Sequence, residues 1–246
     1  MMKIKANKRF GQNFLINNEI IEKIIEIFGP KPNDNILEIG PGLGALTKSL
    51  AKVTSNFNAV EIDYKLVEYL KTKNLPVIQE DILNFDFKVL KQSPIRIIGN
   101  LPYNISSQII FKLIENYDII SDATLMVQLE MANRIAAKPN NKNYGRISVI
   151  TSHFFESSVE LIVPNNAFNP VPKVTSAIIK LKKIKQTQDV DMPKLSSIVK
   201  QAFQMRRKTL NNSLKDYKEA MQKANIDTSL RAENLSLKDY IDITKA

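Results

Sequence analysis

The chain has 246 residues, 43% of them hydrophobic and 24% charged, with no cysteine or tryptophan, one histidine and a formal net charge of +10. That length carries one substantial core with a small second domain, and the missing cysteines exclude disulfides, thiolate metal sites and a cysteine nucleophile. A lone histidine, His153 in the apolar run RISVITSHFFES, leaves a His-rich centre or a Ser-His-Asp triad without its parts, so no metal is expected and His153 reads as a packed strand residue.

No run approaches the roughly 20 apolar residues of a membrane span. The N-terminal stretch MMKIKANKRFGQNFL lacks the roughly 7–15-residue apolar core of an export signal, which places the protein in the cytoplasm. The charge is uneven. Residues 1–18 hold four basic and no acidic side chains, residues 180–246 hold 15 basic against 8 acidic, and residues 19–179 hold 16 against 17. A neutral body with basic ends suits a catalytic domain whose flanks meet a polyanion.

In chain order, NEIIEKIIEIF (18–28) spaces isoleucine helically and stops at Gly29-Pro30. The period then changes: NILEIG (35–40), NFNAVEID (56–63), LPVIQED (75–81), PIRIIGN (94–100) and DATLMVQLE (122–130) are short strand-like runs, most of them separated by helix-length segments. Strands alternating with helices predict an α/β fold, a doubly wound, mainly parallel sheet with helices on both faces. RISVITSHFF and SAIIKLKKI, flanking the loop PNNAFNPVPKV, are expected to add an antiparallel hairpin. After Ile184 the run KQTQDVDMP reads as a linker, and the remainder is helical in period. The expected domains are therefore residues 1–185, catalytic, and 186–246, a small all-helical domain.

ILEIGPGLGALTKSL joins the first strand to a helix through Gly40, Gly42 and Gly44. Dinucleotide folds space their glycines GxGxxG and aim a helix N-terminus at a pyrophosphate. The GxGxG spacing here, preceded by Glu38, suits a ligand without phosphate. The next two strands end in Glu61 and Asp81, at the sheet edge where open α/β folds bind ligands. One carboxylate can accept two ribose hydroxyls and the other an adenine amine, with Asp63 and Glu80 as neighbouring alternatives. S-adenosylmethionine fits that outline: adenosine, no phosphate and an amino-acid tail.

The fourth strand ends in Asn100-Leu101-Pro102-Tyr103, with no charge between Arg96 and Lys112. An adenine amine is a poor nucleophile because its lone pair is delocalised into the ring. If the Asn100 side-chain oxygen and the Leu101 carbonyl accept its two N–H bonds, the lone pair turns toward a methyl donor without any base. Pro102 stiffens the turn, Tyr103 stacks on a base removed from its helix, and Phe168, in the loop AFNPVPKV and held by Pro170 and Pro172, is the expected second wall with Lys173 placed for a phosphate.

With these residues in place, the chain resembles the KsgA family of small-subunit ribosomal RNA adenine N6,N6-dimethyltransferases. The resemblance runs through KRFGQNFL (8–15), LEIGPGLGALT (37–47), VEID (60–63), QEDIL (79–83), GNLPYNISS (99–107), YGRISV (144–149), AFNPVPKVTSA (167–177) and AFQMRRKTLNNSL (202–214). It implies the Rossmann-like, seven-stranded fold of class I S-adenosylmethionine-dependent methyltransferases. It also implies cofactor contacts at Asn13, Leu15, Gly40, Glu61, Asp81 and Asn100, and S-adenosylhomocysteine as product. The implied reaction is four methyl transfers onto two adjacent adenosines of a hairpin loop near the 3′ end of small-subunit rRNA, in an immature particle, by an enzyme expected to be monomeric. RNA contacts are expected from Lys8, Arg9, Lys173, Arg206, Arg207 and Lys208. On a helix the last three fan around about 200°, so that one braces a domain interface while others reach RNA. Large-subunit adenine methylases share the turn and the glycine loop; RRKT and YGRISV favour the small-subunit branch.

Overall fold

The structure is a computed structural model and describes residues 5–7, 10–90, 94–185 and 189–246; Lys8 and Arg9 lie outside the described residues. After a two-residue strand, β1 (Phe14–Leu15), the Asn17 side chain accepts the Ile20 N–H at 3.1 Å and starts α1 (Asn18–Phe28). Ile20, Ile24 and Phe28, spaced by four, bury one stripe of this helix, and Gly29 ends it with φ 60 in the left-handed region.

Strands and helices then alternate: β2 (Asn35–Ile39), α2 (Thr47–Val53), β3 (Phe57–Glu61), α3 (Tyr64–Lys71), β4 (Ile78–Gln79), β5 (Ile95–Asn100), α4 (Ser106–Glu115), β6 (Ile120–Gln128), α5 (Leu129–Ile135), α6 (Arg146–Phe154), β7 (Phe155–Val163), β8 (Phe168–Asn169) and β9 (Ser176–Lys183). The main sheet has seven strands in the order β4-β3-β2-β5-β6-β9-β7. Its pairs from β4 to β6 are parallel, and β6 pairs antiparallel with β9. Every residue of β2 is buried, as a parallel strand covered on both faces requires. The strand order reverses between β2 and β5, and open α/β sheets leave a ligand crevice at the carboxyl ends of such a pair. Those two ends carry Gly40 and Asn100. The pair is drawn tight at Gly99, where a Cβ would lie 2.5 Å from the Ile39 carbonyl oxygen.

At the opposite end of β5, Arg96 closes the sheet's floor. Its guanidinium bonds Asp34 at 2.6 Å, both Asp122 oxygens at 2.9 and 2.8 Å, and the Phe28 and Gly29 carbonyls at 2.6 and 2.9 Å. It also lies 4.4 Å over the Phe28 ring. Two carboxylates and the last carbonyls of α1 thus share one largely buried cation, which fixes that helix against the strand ends.

The chain forms two compact units, Met1–Ala132 with Ser158–Lys183, and Asn133–Ser157 with Ile184–Ala246. The second adds α7 (Met192–Gln204), α8 (Leu210–Ser213), α9 (Lys218–Lys223) and α10 (Leu237–Lys245). Inside it the Phe203 ring packs 6.0 Å from Tyr144 and 6.3 Å from Tyr240, whose hydroxyl donates to the Ala232 carbonyl at 2.8 Å. This division differs from the expected boundary after residue 185: residues 133–157 cluster with the helical unit.

RISVITSHF, expected as a strand, is helix α6, buried at Ser148, Val149, Ile150, Thr151 and His153. His153 is therefore a packed helix residue, and burial holds its imidazole below its ordinary value. Arg206, Arg207 and Lys208 lie in the turn that follows α7, not on a helix. Arg206 there donates to the Lys142 and Tyr144 carbonyls at 2.9 and 3.1 Å and to Glu233 at 2.9 Å. All three are exposed, but Arg206 braces its own unit through these bonds.

Candidate active site

Two adjoining clefts open over the reversal point, of about 90 and 180 Å³, and both are walled by Phe10, Gly40, Glu61, Ile62 and Pro102. The first is also lined by Gln12–Leu15, Glu38, Gly42 and Asn100–Tyr103. The second runs to Asp81, Ile82 and Ile105.

Glu61 ends β3 between two backbone donors, the N–H of Asp63 at 3.0 Å and that of Gly42 at 3.3 Å. Burial pushes its carboxyl above the ordinary range while these donors pull it back, so both oxygens are fixed and presented to the clefts. Asp81 uses Oδ1 to accept the Leu83 N–H at 2.9 Å. Of the two alternatives, Asp63 is committed elsewhere: Oδ1 caps α3 through the Lys65 N–H at 3.0 Å, and Oδ2 accepts from Gln12 Nε2 at 2.9 Å. Glu80 stands beside Asp81 in the wall of the larger cleft.

Glu38 is the feature of the smaller cleft that needs a partner. Its Oε2 is buried with no hydrogen-bond partner among the described residues, and burial, opposed by the Thr47 hydroxyl and reinforced by the Glu61 charge, pushes the carboxyl up to about 8. A buried carboxylate oxygen with no donor is stabilised by a cation. S-adenosylmethionine brings one in its amino-acid ammonium, and the lining fits that group: Glu38 and Gly40 would hold its amino-acid end, Glu61 its ribose and Asp81 with Ile82 its adenine. The cradle also demands glycine at Gly42, where φ is +58 and a Cβ would meet the Phe14 ring at 3.3 Å.

The segment from Phe10 to Leu15 forms the outer wall. Gln12 latches it to Asp63, and β1 pairs antiparallel with β8, Leu15 opposite Phe168. Asn13 contributes its carbonyl, which accepts from Asn100 Nδ2 at 3.1 Å. That bond selects the amide's orientation, because only the nitrogen can donate; Asn100 Oδ1 is the remaining acceptor. Nothing in the sequence singled out Gln12, because its partner lies 51 positions away.

Beyond Asn100, Leu101 is buried and anchored by its N–H to the Met126 carbonyl at 3.0 Å. Tyr103 lines the smaller cleft, and its hydroxyl lies 2.6 Å from Ser176 Oγ. Phe168 does not join them. It is only 1% exposed, packed with Leu15, Ile20 and Ile178 in the core. As found, it is a core anchor and not the second wall expected from sequence; the aromatic rings that do line the smaller cleft with Tyr103 are Phe10 and Phe14. Lys173 is exposed in the loop between β8 and β9.

A sequence profile described as ribosomal RNA adenine dimethylase matches residues 3–246. The chain belongs to the ribosomal RNA adenine dimethylase family. Among its relatives, ribosomal RNA small subunit methyltransferase A of Wigglesworthia glossinidia brevipalpis is 44% identical, over 98% of this chain and 97% of that one. The protein of the same name from Acinetobacter baylyi is 43% identical over 98% and 92%. A dimethyladenosine transferase from Plasmodium falciparum superposes with TM-score 0.81 at 27% identity, covering 94% of this chain and 95% of that structure. The 23S rRNA methyltransferase ErmE superposes with TM-score 0.73 at 26% identity, over 95% and 98%.

Proposed function

We propose that this protein transfers methyl groups from S-adenosylmethionine to the N6 amines of two adjacent adenosines in the 3′-terminal hairpin loop of small-subunit rRNA, yielding dimethyladenosines during subunit assembly in the cytoplasm. The observation that carries this reading is the Asn13–Asn100 hydrogen bond, which leaves the Asn100 amide oxygen as an acceptor at the donor cleft.

The bound cofactor supplies an electrophilic methyl group on a sulfonium sulfur. Asn100 Oδ1 and the Leu101 carbonyl accept the two amine hydrogens and aim the nitrogen lone pair at that carbon. Transfer precedes proton loss, because the amine becomes acidic only once it carries the methyl group, so the site needs no general base. Tyr103 lies against the face of the flipped base, and Pro102 holds the turn rigid. Glu38 and Glu61 keep the donor in place from the other side.

The small-subunit target is favoured over the large one by relatives at 43% and 44% identity, against 26% for the large-subunit enzyme. In the same reading, the helical unit docks on an immature particle, with Arg207 and Lys208 exposed for phosphates and the enzyme acting as a monomer. The test is to incubate the protein with unmethylated small subunits and labelled S-adenosylmethionine and identify the modified nucleoside. Primer extension on rRNA from cells lacking and regaining the protein locates it; a restored stop in large-subunit rRNA would overturn the assignment.

A further inference from the structure

The bond between Tyr103 and Ser176 joins two parts of the first unit that the proposed chemistry treats separately. Tyr103 belongs to the turn after β5. Ser176 opens β9, opposite Gln128 of β6, and has no exposed surface. Its Oγ, 2.6 Å from the phenol oxygen, is held by a strand in the interior of the sheet, so the ring is tied to a rigid point. Burial pushes the phenol above its ordinary value, and it stays neutral at physiological pH; the hydroxyl is a tether, not an acid or base. With Phe168 in the core, Tyr103 is the aromatic side chain of the Asn-Leu-Pro-Tyr turn available to the base.

We propose that Ser176 is a positioning residue that fixes the Tyr103 ring for stacking on the target adenine, and that this fixed ring carries the second methyl transfer. The proposal rests on the adenine-methylating function above. Its logic lies in the count of hydrogens. The first transfer begins with two amine N–H groups, for which Asn100 Oδ1 and the Leu101 carbonyl are two acceptors. After it, the nitrogen keeps one N–H and one of those bonds is gone. Stacking is indifferent to the methyl group, so the base is held for the second transfer by one hydrogen bond and the ring. A ring free to turn gives up part of that hold just when it matters most.

The test compares wild type, Ser176→Ala, Tyr103→Phe and the double variant on unmethylated small subunits, separating mono- from dimethyladenosine. Each single variant is expected to slow the second transfer by about threefold to tenfold, the effect of one hydrogen bond, so that monomethyladenosine accumulates. The double variant is expected to be no slower than either single one, and S-adenosylhomocysteine affinity by calorimetry to stay within twofold. A structural weakening would lower both transfers alike and leave the product ratio unchanged. Additive losses, or an unchanged ratio in both single variants, would overturn the proposal. If Ser176→Ala fails to fold, Tyr103→Phe, which keeps the ring and removes only its oxygen, decides alone. Wild type that methylates no small-subunit adenosine would sink the function itself, which is a different result from wild type and variants that methylate equally.

Discussion

Asn100 donates its side-chain nitrogen to the carbonyl of Asn13 at 3.1 Å, across 87 positions of sequence. The residue proposed to aim the acceptor amine is thus oriented by the segment that walls the smaller cleft. Asn100→Ala is expected to abolish methyl transfer while leaving binding to the immature subunit largely intact, measured by product analysis and co-sedimentation. Asn100→Asp keeps an acceptor but sets a carboxylate oxygen against the Asn13 carbonyl. It should lose more than about tenfold in transfer rate, the effect of one charge-disfavoured contact.

If Glu38 holds the cofactor's ammonium as proposed, cofactor affinity is expected to depend on pH. Its carboxyl, at about 8 in the free protein, is neutral below that pH, and a cationic ligand favours the ionised form. Affinity should rise with pH by up to about tenfold per unit below pH 8 and level off above it. Calorimetry in buffers of different ionisation enthalpy should register proton release on binding, and Glu38→Gln should flatten the slope. Stability runs the opposite way. The folded value lies above the ordinary 4.5, so the contribution of neutral Glu38 is full below about pH 4.5 and is lost as pH rises through 8. The Gln variant should gain stability relative to wild type at pH 8, read from urea midpoints.

Gly99→Ala tests the tight pairing of β2 with β5. A methyl group 2.5 Å from the Ile39 carbonyl oxygen must push backbone, not a flexible side chain. Overpacking of this kind typically costs about 1–3 kcal/mol, and more where backbone must move. The soluble fraction and the urea midpoint should both fall, and cofactor affinity with them, because Gly40 and Asn100 sit on the displaced strand ends.

The basic turn after α7 divides by role. Arg207→Ala and Lys208→Ala should weaken subunit binding and each reduce the log–log salt slope by about one unit, with unchanged melting temperature. Arg206→Ala should instead lower the melting temperature, since it removes bonds to Lys142, Tyr144 and Glu233.

What the chain discloses in one dimension follows from how local the cause is. The bounds of α1 were legible because Asn17, the spacing of Ile20, Ile24 and Phe28, and Gly29 all lie within its own residues. The placement of Glu61, Asp81 and the Asn-Leu-Pro-Tyr turn at strand ends lining the clefts was legible because each ends or directly follows its own strand-like run. Helix α6 was not: it is buried on adjacent residues Ser148 to Thr151, so it lacks the polar face that distinguishes a helix from a strand in an apolar run. The brace at Arg206 and the latch from Gln12 to Asp63 depend on partners far along the chain, and no spacing announces them. Phe168 shows the limit from the other direction. A loop between prolines suggested a free aromatic, and its pairing register opposite Leu15 turned the ring inward.

The same two-residue ladder governs the order in which the protein becomes competent. The partners of Phe14 and Leu15 are Asn169 and Phe168, so the outer wall of the donor cleft has nothing to pair with until the chain has been made almost to the end of its first unit. Phe14 and Leu15, made before the strands of the main sheet, settle after them, as the closure of a long loop delays any contact it must precede. A nascent chain that already holds Gly40, Glu61 and Asp81 still lacks, until β8 arrives, the docked strand that presents the Asn13 carbonyl to Asn100.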